Sequence, residues 1–99
     1  MSNEFNSPCP LCQTPATFVQ IDLRRKHFKC SSCTEYVLWR KAETLLAAKA
    51  WTTKERFAAK VREAIEPEFI HVISGPTPNS EPHVELQVRA QLRSEALAP

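Results

Sequence analysis

Four cysteines are the residues of this chain whose type and spacing could do chemistry. Cys9 and Cys12 form one C-x2-C pair, and Cys30 and Cys33 form a second. One C-x2-C turn presents two sulfurs to a single metal ion, and two such turns complete a tetrahedron. The seventeen residues between the pairs match the spacing typical of zinc sites. We therefore predict one structural Zn²⁺ ion bound by these four thiolates.

A site closed by four thiolates argues against catalysis. No position is left on the ion for water or substrate, so it cannot act as a Lewis acid. The chain contains neither G-x-S-x-G nor H-E-x-x-H, and its single glycine, Gly75, excludes a glycine-rich phosphate loop. We predict that the protein is not an enzyme and binds no small-molecule substrate.

Other interpretations of the cysteines remain open at the level of sequence. The same four thiolates could hold iron, which would make the protein a rubredoxin-like electron carrier. A thioredoxin-like redox pair would need a helix start in a βαβ unit, which neither pair has. His27 could replace a cysteine as a ligand, although a polar position in a hairpin arm explains it better. Two disulfides are disfavoured because Met1 to Ser7 is not a secretory signal, which predicts a reducing, cytoplasmic location.

Residues 9–39 resemble a zinc ribbon, the rubredoxin-like four-cysteine zinc-finger module. The resemblance implies two cysteine knuckles beside a three-stranded sheet, and it covers about a third of the chain. Family knuckles often carry glycine directly after the second cysteine of each pair, where this chain has Gln13 and Thr34. Zinc ribbons serve both in nucleic-acid-handling proteins and in protein adaptors, so the resemblance leaves the function broad.

The pattern of residue types predicts an α+β fold. The first part is a small zinc-ribbon β-meander, with β-prone segments before, between and after the knuckles. Residues 41–65 contain no Gly or Pro and are rich in Ala, Leu, Lys and Glu, which predicts one or two helices. We favour two, because Thr52 and Glu55 form a capping box. A C-terminal pair of strands follows. The predicted strands are 16–23, 27–33, 36–39, 69–73 and 83–92, and residues 93–99 are expected to be a loose end.

The predicted organisation is a zinc ribbon at 1–40 and a helical segment plus β-strands at 41–99, which could share one continuous core. Ninety-nine residues allow no more than one small domain or two modest units. The formal net charge is +2, but four thiolates and one divalent ion would bring it close to zero. No apolar run approaches the roughly 18 residues of a membrane span.

A cationic segment at the predicted hairpin tip suggests one binding surface. Clustered cations contact phosphates, and neighbouring aromatic rings stack on unpaired bases. This surface would make the protein a nucleic-acid-binding zinc ribbon, which is our alternative prediction. The candidate residues are Arg24, Arg25, Lys26 and Lys29, with Phe28, Tyr36 and Trp39 available for stacking.

The last predicted strand suggests a second surface, which we favour. It alternates strictly between apolar and polar residues, so its apolar side needs cover. If its edge stays open, it can pair with a partner protein or with a second copy of the chain. We therefore predict an adaptor or self-associating module. The candidate interface residues are Val84, Leu86, Val88 and Leu92.

Overall fold

One mixed sheet with helices forms the framework of the protein. The computed structural model describes residues 4–75 and 86–98. In these residues, six strands pair in the order in which they occur along the chain. All neighbours are antiparallel except β4 and β5, which are parallel. The predicted α+β class is confirmed. The elements are β1 (Glu4–Pro8), β2 (Pro15–Gln20), β3 (Arg25–Cys30), β4 (Thr34–Trp39), α1 (Arg40–Ala47), α2 (Trp51–Val61), β5 (Phe69–Ser74), β6 (Gln87–Leu92) and α3 (Arg93–Ala96).

The N-terminal meander has one strand more than the sequence predicted. β2, β3 and β4 correspond to the three predicted strands, and β1 adds a fourth at the sheet edge. The sequence of β1, EFNSP, has a single large apolar residue and no alternation, so it carries no strand signal of its own. Pairing with β2 decides its conformation, with Phe5 opposite Phe18.

Two helices make the crossover between the parallel strands β4 and β5. Parallel neighbours need such a long connection, whereas antiparallel ones need only a turn. The predicted pair of helices is confirmed, but the capping box is wrong. α2 begins at Trp51 with Ala50 as its N-cap and no side-chain cap, which places Thr52 inside the first turn. No helix among residues 4–75 and 86–98 is long and apolar enough to cross a membrane.

The sheet has two different faces. The face beneath α1 and α2 carries the larger core, in which Phe28, Tyr36 and Leu38 pack with helix residues such as Leu46 and Val61. The opposite face carries a smaller apolar cluster covered by α3. The smaller cluster consists of Val37, Ile70, Val72 and Ala96, with Ile21, Trp39 and Leu97 packed against it.

The C-terminal residues are ordered against the sheet, so the predicted loose end is wrong for residues 93–98. Ala96 in α3 is only 2% exposed. The Arg25 guanidinium on β3 donates a hydrogen bond to the Ala96 carbonyl at 2.8 Å. α3 is a single turn of four residues, too short for helical periodicity to be visible in the sequence.

The alternating C-terminal strand is described from Leu86 onward, and Val84 lies outside the described residues. β6 pairs with β5 so that Val88 lies opposite Ile73 and Leu92 opposite Phe69. Leu86 and Val88 pack against the larger core. Leu86 and Val88, which were predicted to contact a partner, therefore pack inside the protein itself. Leu92 remains 38% exposed.

Candidate metal centre

Two tight turns at the same end of the sheet position the four cysteines. The first turn connects β1 to β2 and is closed by hydrogen bonds from the Cys9 amide to the Thr14 carbonyl (2.9 Å) and from the Gln13 amide to the Cys9 carbonyl (2.8 Å). The second turn connects β3 to β4. Because Ala16 on β2 lies opposite Cys30 on β3, the strand register brings the two turns together.

The four sulfur atoms form one compact cluster. All Sγ atoms lie within 4.8 Å of one another. The Sγ atoms of Cys9 and Cys33 are 3.9 Å apart, and those of Cys12 and Cys30 are 3.5 Å apart. A tetrahedral ion with metal–sulfur bonds of about 2.3 Å requires sulfur–sulfur distances of about 3.8 Å. The cluster therefore has the dimensions of a four-thiolate metal site.

His27, the alternative ligand, has a different partner. Its Nε2 atom lies 3.0 Å from a carboxylate oxygen of Glu35, on the neighbouring strand β4. Glu35 also forms an ion pair with Arg93. Among the described residues, the group that could hold a metal ion consists of the four cysteines without His27.

The residue after each cysteine pair has a backbone conformation that favours glycine. Gln13 has φ 62° and Thr34 has φ 69°, both in the left-handed region. An L-residue in this region costs roughly 1–2 kcal/mol, and a β-branched residue such as Thr34 is unusual there. These are the positions where zinc-ribbon knuckles often carry glycine. Both turns thus adopt this conformation with residues other than glycine, and the Thr34 hydroxyl donates to the Val61 carbonyl at 3.3 Å.

Tyr36 contacts the cluster from β4. Its hydroxyl lies 3.1 Å from the Cys9 Sγ atom, and its side chain is fully buried. Burial raises the pKa of Tyr36, with the bond to Cys9 acting in the same direction, so the hydroxyl keeps its proton. The Tyr36 hydroxyl can therefore act only as a hydrogen-bond donor to a cysteine thiolate. No sequence motif links this hydroxyl to the cysteines, and the sequence predicted Tyr36 as a stacking residue instead.

Arg62 contacts the cluster from the end of α2. Its Nη2 atom lies 3.6 Å from the Cys33 Sγ atom, and its Nε atom donates to the Ser32 carbonyl at 3.0 Å. The bond to Cys33 and the charge of that sulfur raise the pKa of Arg62. Four thiolates and a divalent cation carry a net charge of −2, which this guanidinium partly offsets. Sequence reasoning missed Arg62 because it is distant in sequence from both cysteine pairs.

The pKa values of Cys9, Cys12 and Cys33 are shifted from the ordinary value of a thiol. Desolvation raises the pKa of Cys9 and of Cys33, and for Cys33 the neighbouring cysteines raise it further. For Cys12, burial also acts upward, but hydrogen bonds with Thr14 and with other cysteines lower the pKa to about 6. Since metals bind thiolates, loading the site must release protons from the buried sulfurs.

The predicted cationic tip forms ion pairs with acidic side chains. Arg25 also lies over the Trp39 ring, 5.7 Å from its centroid, and Arg24 is exposed. Three of the four predicted cations therefore contact carboxylates. Nucleic-acid binding at this tip stays a prediction, and these contacts do not favour it. The pairs are Arg25–Asp22 (2.9 Å), Lys26–Glu43 (3.0 Å) and Lys29–Glu4 (3.5 Å).

A row of aromatic rings crosses the helix-covered face, from Phe5 on β1 through Phe18 and Phe28 to Tyr36 on β4. Successive centroids are 5.3, 5.2 and 5.5 Å apart. Phe28 is 1% exposed and Tyr36 is 0% exposed, so the expectation that they stack on bases is wrong. Phe5, at the outer end of the row, is 52% exposed.

An apolar recess lies at the end of β6. Its volume is about 550 Å³, and its lining includes Leu92, Leu97 and Ala98. In the described residues β6 pairs with β5 alone, so its other edge presents backbone groups that no strand satisfies. The recess lies at the C-terminal end of this strand, where Leu92 is the last residue of β6.

Comparison with protein-family models, with curated proteins and with solved structures found no match to this chain. The candidate site therefore depends on the geometry described above.

Proposed function

We propose that the chain is a small, non-catalytic interaction module organised by one structural zinc ion. The observation that carries this proposal is the cluster of four cysteine sulfurs within 4.8 Å of one another. Zn²⁺ in structural sites is typically held by four ligands in a tetrahedron, and a set of four cysteines completes it. With all four positions filled by protein, the ion stabilises the fold and leaves no open position for a reaction.

The metal is tested on protein purified in reducing buffer by elemental analysis. One zinc per chain is the expected result. Cys33→Ser should remove most of it, while Ser31→Ala, an exposed neighbour in the same turn, should keep it. One iron per chain would contradict zinc and favour the rubredoxin-like electron carrier. A metal content far below one per chain would contradict the site itself.

We further propose that the module binds a protein, either a partner or a second copy of itself, through the free edge of β6 and the adjacent recess. Unpaired strand edges are templates for strand addition. Leu92 lines the recess, is 38% exposed and belongs to neither core cluster, so it can contribute apolar contact to a partner without disturbing the core.

Leu92→Asp tests this surface. The variant should lose a partner that co-purifies with the wild-type chain, or convert a dimer to a monomer of 11.3 kDa in light scattering, with unchanged zinc content. Leu23→Asp is the matched control, because Leu23 is 87% exposed in the β2–β3 turn and does not line the recess. Leu86 is unsuitable because it packs on the core. A monomeric wild-type chain that captures no protein would overturn the proposal.

A further inference from the structure

The helical crossover carries an excess of positive charge. Residues 40–62 contain seven Lys or Arg and two Glu, a formal charge of +5. The whole chain has a formal charge of +2, so the rest of the sequence is acidic in balance. The basic charge is thus concentrated in the two helices that cover one face of the sheet.

Both helices direct their apolar residues at the sheet. The buried positions are Ala42 and Leu46 in α1 and Ala58 and Val61 in α2. The opposite sides of the helices consequently form the outer surface of the protein here. We call this surface the helix-layer surface and define it by Arg40, Lys41, Arg56 and Lys60.

The cations of the helix-layer surface differ from those of the hairpin tip in their partners. Arg40, Lys41, Arg56 and Lys60 are exposed, and none of them forms an ion pair within residues 4–75 and 86–98. At the hairpin tip, by contrast, three of four cations contact carboxylates. A Lys or Arg side chain without a carboxylate partner is balanced by small anions from solution. The phosphates of a nucleic acid can replace these anions.

We propose that the helix-layer surface binds the phosphate backbone of nucleic acid without sequence specificity. Arg56 and Lys60 are one helical turn apart, about 6 Å along the axis. That length is on the order of two nucleotide steps of one B-DNA strand, at about 3.4 Å each. Trp51, on another side of α2, has Lys54 over its ring at 4.3 Å and is not part of this surface. This surface is separate from the β6 edge, so the proposal goes beyond the protein-binding function.

Charge complementarity favours nucleic acid over other anionic partners. Insertion into a membrane surface uses large apolar side chains between the cations, whereas most of the intervening exposed residues are small or polar. These residues are Thr44, Ala47, Ala48, Thr52 and Ala59. An acidic protein would need matching carboxylates in fixed positions, whereas a polyphosphate supplies evenly spaced charge to cations on both helices.

The test measures fluorescence anisotropy of a labelled double-stranded oligonucleotide with the zinc-loaded full chain over a range of salt concentrations. The double variant Arg56→Gln/Lys60→Gln should bind about tenfold more weakly at moderate salt, and the slope of log affinity against log salt should decrease by about 2, one for each phosphate contact. Zinc content and circular dichroism should match those of the wild type.

The matched control is Arg24→Gln/Arg89→Gln, which removes the same charge from exposed residues on other parts of the surface. Its affinity should stay within about twofold of wild type. An equal loss in both variants would attribute binding to net charge and overturn the proposal. Failure of the wild-type chain to bind at low salt, or equally tight binding to polyglutamate or to anionic vesicles, would also overturn it.

Discussion

Two side chains outside the cysteine pairs contact the sulfur cluster, and each contributes differently. Tyr36 gives Cys9 a neutral, fully buried hydrogen-bond donor at 3.1 Å. Arg62 gives Cys33 a charged donor that is exposed to solvent. Donors of this kind orient metal ligands and adjust their basicity. The clustering of the four cysteines was predictable from their spacing, but these two contacts depend on the docking of α2 and on the packing of β4, which no local motif encodes.

The left-handed residues of the knuckles allow a prediction about stability. Gln13→Gly should raise the free energy of unfolding by up to about 1 kcal/mol, since glycine adopts positive φ without a Cβ penalty. Gln13→Val should lower it, because β-branched residues are strongly disfavoured there. Urea unfolding of the zinc-loaded proteins measures both. Gln13 is exposed, so side-chain packing contributes little. If the glycine variant were less stable than the valine variant, the assigned backbone conformation would be wrong.

At the scale of elements, the predicted strands and helices are those with strong patterns. β5 is rich in β-branched and aromatic residues, and residues 41–65 have high helix propensity, so both regions were predicted correctly. β1 and α3 have no such pattern. β1 is a strand because β2 offers it an edge, and α3 is a helix because Ala96 and Leu97 cover apolar side chains of the sheet. Because tertiary contacts determine these two elements, the local sequence does not predict them.

The packing of α3 allows a prediction at this scale. Ala96→Asp should destabilise the protein by about 2 kcal/mol or more, because it places a carboxylate among the apolar residues of the smaller cluster. Ser94→Asp on the exposed side of the same turn should change the stability by less than about 0.5 kcal/mol. Chemical unfolding compares the two. Equal stability of the two variants would mean that α3 is not docked in solution.

Acid sensitivity is a property of the whole molecule. Burial lowers the pKa of His71, with Glu63 partly opposing it, and burial also lowers that of His27 against the influence of Glu35. A histidine whose pKa is lower in the folded state than its ordinary 6.5 is protonated more readily when unfolded. The stabilisation that the two neutral histidines contribute is therefore complete above pH 6.5, and it decreases as the pH falls below 6.5.

We expect the urea midpoint to decrease between neutral pH and about pH 5.5, and the decrease to be smaller in the double variant His27→Gln/His71→Gln. Metal loss also weakens the protein in acid, so zinc content must be measured at each pH. The histidine contribution is the part of the change that occurs while zinc stays bound. An identical pH dependence in the variant would show that the two histidines do not contribute.

The parallel pairing of β4 with β5 has a consequence for synthesis on the ribosome. All four cysteines and Tyr36 precede residue 40, whereas β5 begins at Phe69. The complete set of cysteines therefore leaves the ribosome well before the neighbour of β4 emerges. Metal can load while that side of β4 is still bare, and the unpaired strand must be kept from aggregating until the crossover and β5 emerge.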